Sequence, residues 1–144
     1  MVLSSFIWFT DKKYRRKTMI GYTTVGTNDL EKAVAFYDAL LAVVGAGRFM
    51  QEETFVAWSV SPDAPAFSVC KPYDGNAATV GNGNMIALTV DSTDMVDAVY
   101  AKAMELGGSD EGPPGTRMDG FYAAYFRDLD GNKLNVFNMQ MPDA

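Results

Sequence analysis

The sequence predicts an α+β fold built from two copies of one unit, each a strand, a helix and then two or three further strands, with both helices on one side of the sheet. Three observations predict it: the chain matches itself at a nearly constant offset, each copy holds one helix-period apolar stripe, and the strand-period segments divide into an apolar face and a mixed one. Residues 22–37, YTTVGTNDLEKAVAFY, lie over residues 85–100, MIALTVDSTDMVDAVY, at an offset of 63. Residues 55–72 lie over residues 122–139 without a gap at an offset of 67. The difference between the two offsets falls in the second copy, within Gly108 to Asp119.

In the first copy a strand from Tyr22 leads to Asn28, which can cap a helix with Glu31 three residues on. Leu30, Ala33, Val34, Phe36, Tyr37, Leu40, Leu41 and Val44 form its apolar stripe, and Gly45 stops it. A hairpin follows, Phe55 to Val60 and Ala66 to Lys71, turning at Ser61-Pro62-Asp63-Ala64. In the second copy Ser92 or Thr93 caps the helix, Met95, Val96, Val99, Tyr100, Ala103 and Leu106 make the stripe, and Gly107 ends it. Its hairpin runs from Tyr122 to Arg127 and from Lys133 to Asn138, and Asp130-Gly131 supplies the positive φ that a tight turn between right-twisted strands needs. The chain therefore divides into an appended arm at 1–18, a single domain at 19–140 and a tail at 141–144. Within the domain, module one is 19–74, the linker 75–83 and module two 84–140.

Charge sets the arm apart. Lys12, Lys13, Arg15, Arg16 and Lys17 stand there against one acid, Asp11, whereas the whole chain of 144 residues has 12 basic and 18 acidic residues and a formal charge of −6. Met19 then reads as an alternative initiator; a surface-seeking amphipathic anchor is the other reading of the arm. The apolar stretch Met1 to Phe9 is too short to span a bilayer, and the basic residues follow it, opposite to the order in a secretory signal. An acidic body lacks the field that drives binding to phosphate backbones, so neither nucleic acid nor a membrane is an expected partner. With no histidine, Ser-His-Asp, Cys-His and His-zinc chemistry are excluded. The single cysteine, Cys70, cannot form an internal disulfide and reads as a small buried hydrophobe, which suits a reducing, cytoplasmic setting.

Strand parity separates two faces. Val25, Phe67, Val69, Ile86, Leu88, Val90, Leu134 and Val136 make an apolar face for the helices to cover. The opposite face carries Tyr22, Thr24, Ser68, Cys70, Met85, Lys133, Asn135 and Phe137, a mixture that suits solvent or a pocket with a few orienting polar groups. Trp58 and Tyr125 fall at matched positions in the two copies and add ring surface that favours the pocket. No acid falls on that face, so Glu52-Glu53 and Asp128-Asp130 read as solvated turn residues, and Arg127 as half of a structural ion pair. The excess segment Gly108 to Asp119, stiffened by two prolines, reads either as a lid or as an exposed connection.

At these residues the chain resembles the vicinal oxygen chelate superfamily, which includes glyoxalase I, bleomycin-resistance proteins and extradiol dioxygenases. The marks are Asn28-Asp29-Leu30 and Ala35-Phe36-Tyr37 in the opening strand and helix, the second copy from Met85, and above all Tyr125-Phe126-Arg127-Asp128-Leu129-Asp130-Gly131-Asn132. The resemblance covers about residues 19–140 and implies paired βαβββ modules forming a cupped, barrel-like mixed sheet with helices on the convex side, a homodimer, and a small-molecule site inside the cup. In the metal-dependent members the ligands come from equivalent inward positions on the first and last strands of each module. Those positions are here Tyr22, Met85, Ser68 and Asn135, where the enzymes have His or Glu. Neutral hydroxyl, thioether and amide donors hold zinc, iron or manganese poorly, so no metal and no cofactor are expected.

The candidate ligand-binding residues are therefore Tyr22, Thr24, Trp58, Ser68, Met85, Tyr122, Tyr125, Asn135 and Phe137, with no catalytic residue assigned. The leading expectation is a metal-independent small-molecule-binding protein. The alternative is a metal-independent lyase or isomerase with Tyr22, Tyr122 or Tyr125 as acid or base, and a third reading is an interaction protein whose cup is merely filled.

Overall fold

A computed structural model describes residues 18–140. The arm, apart from Thr18, and the tail 141–144 lie outside the described residues. Module one comprises β1 (Tyr22–Gly26), α1 (Leu30–Ala42), β2 (Gly47–Glu52), β3 (Phe55–Ser59) and β4 (Ala66–Cys70). Module two comprises β5 (Ile86–Thr89), α2 (Thr93–Glu105), β6 (Ser109–Met118), β7 (Phe121–Arg127) and β8 (Lys133–Met139). Each module is thus a βαβββ unit, and the α+β class is as expected. The strand orders are β1-β4-β3-β2 and β5-β8-β7-β6. In each sheet the first strand lies parallel to the last, because the helical crossover returns the chain in the same direction, and the remaining pairs are antiparallel. Each sheet stays open, with four strands of its own.

Helix starts show how local chemistry chooses between neighbours. The cap of α1 is Asp29, whose carboxylate accepts from Lys32 N, and not the expected Asn28. Asn28 instead clamps the linker, its amide bonding both ways to the backbone of Ala78. Ser92 caps α2 by accepting from Met95 N, as expected. Among the described residues no helix is long and apolar enough to cross a membrane.

One core joins the modules. Phe36, Tyr37, Leu40 and Leu41 of α1 and Val96, Val99 and Ala103 of α2 pack against Val56, Trp58, Phe67 and Val69 of the first sheet and Ala124, Phe126, Leu134 and Val136 of the second. The parity read for β4 and β8 therefore holds. The match of β3 to β7 does not. Trp58 pairs with Phe67 and Ala57 with Ser68, whereas Phe126 pairs with Leu134 and Tyr125 with Asn135. The second hairpin turn is one residue shorter, so the counterpart of Trp58 is Phe126 and that of Tyr125 is Ala57. A one-residue slip moves a side chain to the other face. Trp58 is accordingly 1% exposed in the core, its indole donating to Asp38 Oδ1, and is not beside Tyr125.

The turn after β7 is also not the solvated segment it appears in sequence. Asp128 is 4% exposed. Its Oδ1 accepts from Asp130 N and Asn132 N, and its Oδ2 accepts from Asn132 Nδ2 and, at 2.5 Å, from the Tyr37 hydroxyl of α1. Asn132 Nδ2 also donates to Gly26 O, and Asn28 N donates to Asp130 Oδ1, so the second module's turn is fastened to the first module's strand and helix. Arg127 forms the expected structural ion pair, with Glu111 of β6.

Burial pushes the Tyr37 phenol well above its ordinary value, and the adjacent Asp128 carboxylate pushes it further. Replacing Tyr37 by Phe leaves a buried carboxylate short of one donor and should lower stability by about 1–3 kcal/mol in urea unfolding at neutral pH. A phenol whose folded pKa is raised stabilises the fold fully below the unfolded value of about 10 and loses that contribution as pH rises above it. The wild-type chain should therefore lose stability on that alkaline limb, and Tyr37→Phe should flatten the fall; an unchanged slope would show that Tyr37 is not the group responsible.

Candidate functional site

The sheet faces turned away from the helices carry most of the candidate residues, but in two separate places. On the first sheet Tyr22 stands opposite Ala66 and Thr24 opposite Ser68. Tyr22, Phe49, Met50, Phe55, Ala57 and Ser68 border a hollow of about 330 Å³. Its walls are apolar, with Tyr22 set edge-on to Phe55 at 6.4 Å between ring centroids. Ser68 is 0% exposed, and its Oγ is the one buried side-chain polar atom among the described residues that has no hydrogen-bond partner.

Phe49, Met50 and Phe55 are not among the residues that the sequence singles out. Phe55 was within reach of it, since it stands two residues from Ala57 on one strand and so shares its face. Phe49 and Met50 were not, because the ladder between β2 and β3 shifts register between Arg48 and Met50, and a bulge lets neighbouring residues border the same space.

On the second sheet Tyr125 stands opposite Asn135 and Ala123 opposite Phe137. Asn135 is buried, and its Nδ2 donates to Ala124 O and Val136 O. Phe137 stacks near Phe121 at 5.4 Å. Met85 precedes β5 at the seam between modules, where it borders hollows of about 360 and 350 Å³. Thr24 borders the larger of these two rather than the hollow above Ser68.

Tyr122 does not belong with Tyr125. Three residues apart on one strand, they point to opposite faces, and Tyr122 packs against the core beside α2. Its hydroxyl donates to Asp97 Oδ1 at 2.7 Å, and that bond raises its pKa, which leaves it poorly placed to act as a base toward the outer face. The segment Gly108 to Asp119 is no lid either. It is largely β6, an edge strand paired to β7 with several register shifts.

The model of the Glyoxalase/Bleomycin resistance protein/Dioxygenase superfamily matches residues 19–136. The chain belongs to this superfamily. Among solved structures it is similar to a glyoxalase/bleomycin resistance protein from Albidiferax ferrireducens T118, at 38% identity over 85% of this chain and 100% of that one, with a TM-score of 0.79. It shares its fold with a fosfomycin resistance protein from Mesorhizobium loti, at 17% identity, TM-score 0.62, and 88% and 95% coverage of this chain and that one. It also shares the fold with a lactoylglutathione lyase from Agrobacterium tumefaciens, at 19% identity, TM-score 0.63, and coverage of 85% and 94%. No curated protein matches the chain.

In this glyoxalase-superfamily chain the four first- and last-strand positions do not fit a metal ion. Tyr22 and Ser68 share the hollow of the first sheet, Asn135 lies in the second with its amide nitrogen bonded to backbone, and Met85 is at the seam. Their donors are a phenol, a hydroxyl, an amide and a thioether, all neutral, and a dication without an anionic ligand is weakly held. Among the described residues no group of three or more Cys, Asp or Glu side chains is placed to hold an ion.

The unpartnered Ser68 hydroxyl carries a desolvation cost that the free protein does not recover. Ser68→Ala should therefore be neutral or raise stability, by up to about 1 kcal/mol, against the usual loss on altering a buried residue. A melting temperature several degrees below wild type would show that the hydroxyl has a partner in the free protein.

Proposed function

We propose that the chain binds a small organic molecule in the hollow of its first module, without a metal ion. The observation that carries this reading is the Ser68 hydroxyl, fully buried and unpartnered at the base of a space walled by Tyr22, Phe49, Met50 and Phe55. Buried polar groups are almost always hydrogen-bonded, so a lone donor in an apolar space is accounted for by a guest with one acceptor. The walls suit such a guest: aromatic faces supply contact area, and the Met50 thioether adapts to irregular shapes. Membership of a superfamily whose named relatives include resistance proteins supports binding as the task.

The second reading, a metal-independent lyase or isomerase, keeps one specific support. Tyr22 borders the same hollow with a hydroxyl, where it could hold or move a proton on a bound molecule. A homodimer is part of the proposal, because Tyr22, Phe49 and Met50 are large apolar residues exposed together on the rim of an open sheet.

Titration with indole-3-carbinol, phenol and acetophenone, followed by thermal melting and calorimetry, tests the binding reading. At least one should stabilise the wild-type chain, and Ser68→Ala should weaken that ligand about tenfold by removing one hydrogen bond. Dialysis against EDTA should leave both stability and binding unchanged, and sedimentation should give a dimer at micromolar concentration. Stoichiometric metal in the purified protein, or binding that ignores Ser68, would overturn the proposal; conversion of a bound compound with loss of activity in Tyr22→Phe would select the enzyme reading.

A further inference from the structure

The second sheet carries a different chemistry on the same outer face. Tyr125 has the Arg117 guanidinium carbon 5.5 Å from its ring centroid and the Lys133 ammonium 5.6 Å from it. Two cations gathered on one ring need an explanation in a chain with more acidic than basic residues. Lys32, Arg48, Lys102 and Arg127 all have carboxylate partners, whereas Lys71, Arg117 and Lys133 have none within ion-pair distance among the described residues, and of these three only Arg117 and Lys133 lie over the Tyr125 ring. The acids nearest along β6 are otherwise engaged. Asp110 accepts from the Tyr100 hydroxyl and from Gly112 N, and Glu111 is bonded to Arg127. Glu111 lies in the field of Lys133 but beyond ion-pair distance from it.

The guanidinium is also held in place. Arg117 Nη2 donates to Pro113 O at 2.6 Å, which folds the side chain back along its own strand. A Cβ at Gly112 would lie 3.2 Å from Arg117 Nη2 and 3.3 Å from Tyr125, and a Cβ at Gly115 would lie 3.0 Å from Arg117 Nη1. The run Gly112-Pro113-Pro114-Gly115 thus leaves a bed into which the guanidinium settles beside the ring. This bed lies within Gly108 to Asp119, the segment in which the second copy is longer than the first. A guanidinium fixed in this way keeps unused N–H donors, and a fork of donors on a pre-set plane matches an oxyanion. One bond to a carbonyl does not neutralise its charge.

We propose that Arg117 and Lys133, set around Tyr125, form a binding site for a small organic oxyanion, a molecule with a carboxylate or phosphonate group and an apolar body to lie along Phe121 and Phe137. The two rings, 5.4 Å apart on the same face, supply the apolar contact, and the two cations supply the charge. The site is on the other sheet from Ser68 and does not rest on the proposal for that hollow.

Calorimetric titration of the full chain with phenylphosphonate and benzoate, against the neutral benzamide, tests the proposal. Both anions should bind at least tenfold more tightly than benzamide, and raising the salt concentration should weaken them. Arg117→Gln and Lys133→Gln should each reduce phenylphosphonate affinity about tenfold while the melting temperature stays within a few degrees of wild type. Lys71→Gln removes the same charge from a lysine outside the cluster and should leave the affinity unchanged. Equal affinity for benzamide and the anions would overturn the proposal, as would equal losses in all three variants, which would indicate the general field of the protein. Binding of phenol or acetophenone that depends on Ser68 would persist in either case, so failure here is distinguishable from failure at the first hollow.

Discussion

The buried carboxylate of Asp128 is the constraint around which the two modules are set. A charge taken out of water is tolerated only when its oxygens are met by donors, and four meet it here: two backbone N–H groups of its own turn, the Asn132 amide and the Tyr37 hydroxyl. The first three shape the turn between β7 and β8. The fourth comes from α1, so the turn keeps its full set of bonds only if module two is docked on module one. Asn132 and Asp130 extend the fastening to Gly26 and Asn28, and Asn28 holds the linker at Ala78. Strand, helix, linker and turn are thereby brought to one place by hydrogen bonds as well as by the shared core.

Among the described residues neither helix covers the outer sheet faces, and the two faces differ. The core-facing positions repeat in kind, Val69 with Val136, Phe67 with Leu134 and Trp58 with Phe126, because close packing restricts each to an apolar side chain of suitable volume. The outward positions repeat only in backbone. Ser68 stands in an apolar hollow where Asn135 stands beneath Tyr125, and Ala57 occupies the place of Tyr125 itself. A ladder of backbone hydrogen bonds is indifferent to which side chain leaves its outer face. A duplicated fold can therefore offer one neutral, apolar surface and one cationic, aromatic surface on the same scaffold.

Long, periodic features were legible in the sequence. Both helices, the parity of β4 and β8 and the doubling itself follow from spacing alone, since a helix or strand with a wrong-faced apolar set cannot bury it. The residues misread share one cause. Trp58 and Tyr125 look equivalent in a gapless match, yet a turn shortened by one residue reverses the relation. Asn28 and Asp29 both have capping chemistry, and Ala78 on the distant linker draws Asn28 away. Asp128 looks like a turn acid until Tyr37, far off in the chain, arrives to bond it.

The sequence by itself determined the element types, the two-module plan and the neutral side chains, a phenol, a hydroxyl, a thioether and an amide, at the four equivalent positions. These depend on local periodicity and on side-chain chemistry, which travel with the residue. Only the tertiary structure decided that Tyr22 and Ser68 share a hollow while Asn135 and Met85 lie apart from it, that Ser68 lacks a partner, and that Arg117 and Lys133 meet over one ring. Such facts depend on register, bulges and long-range docking, where a shift of one residue changes which groups share a space and no local signal records it.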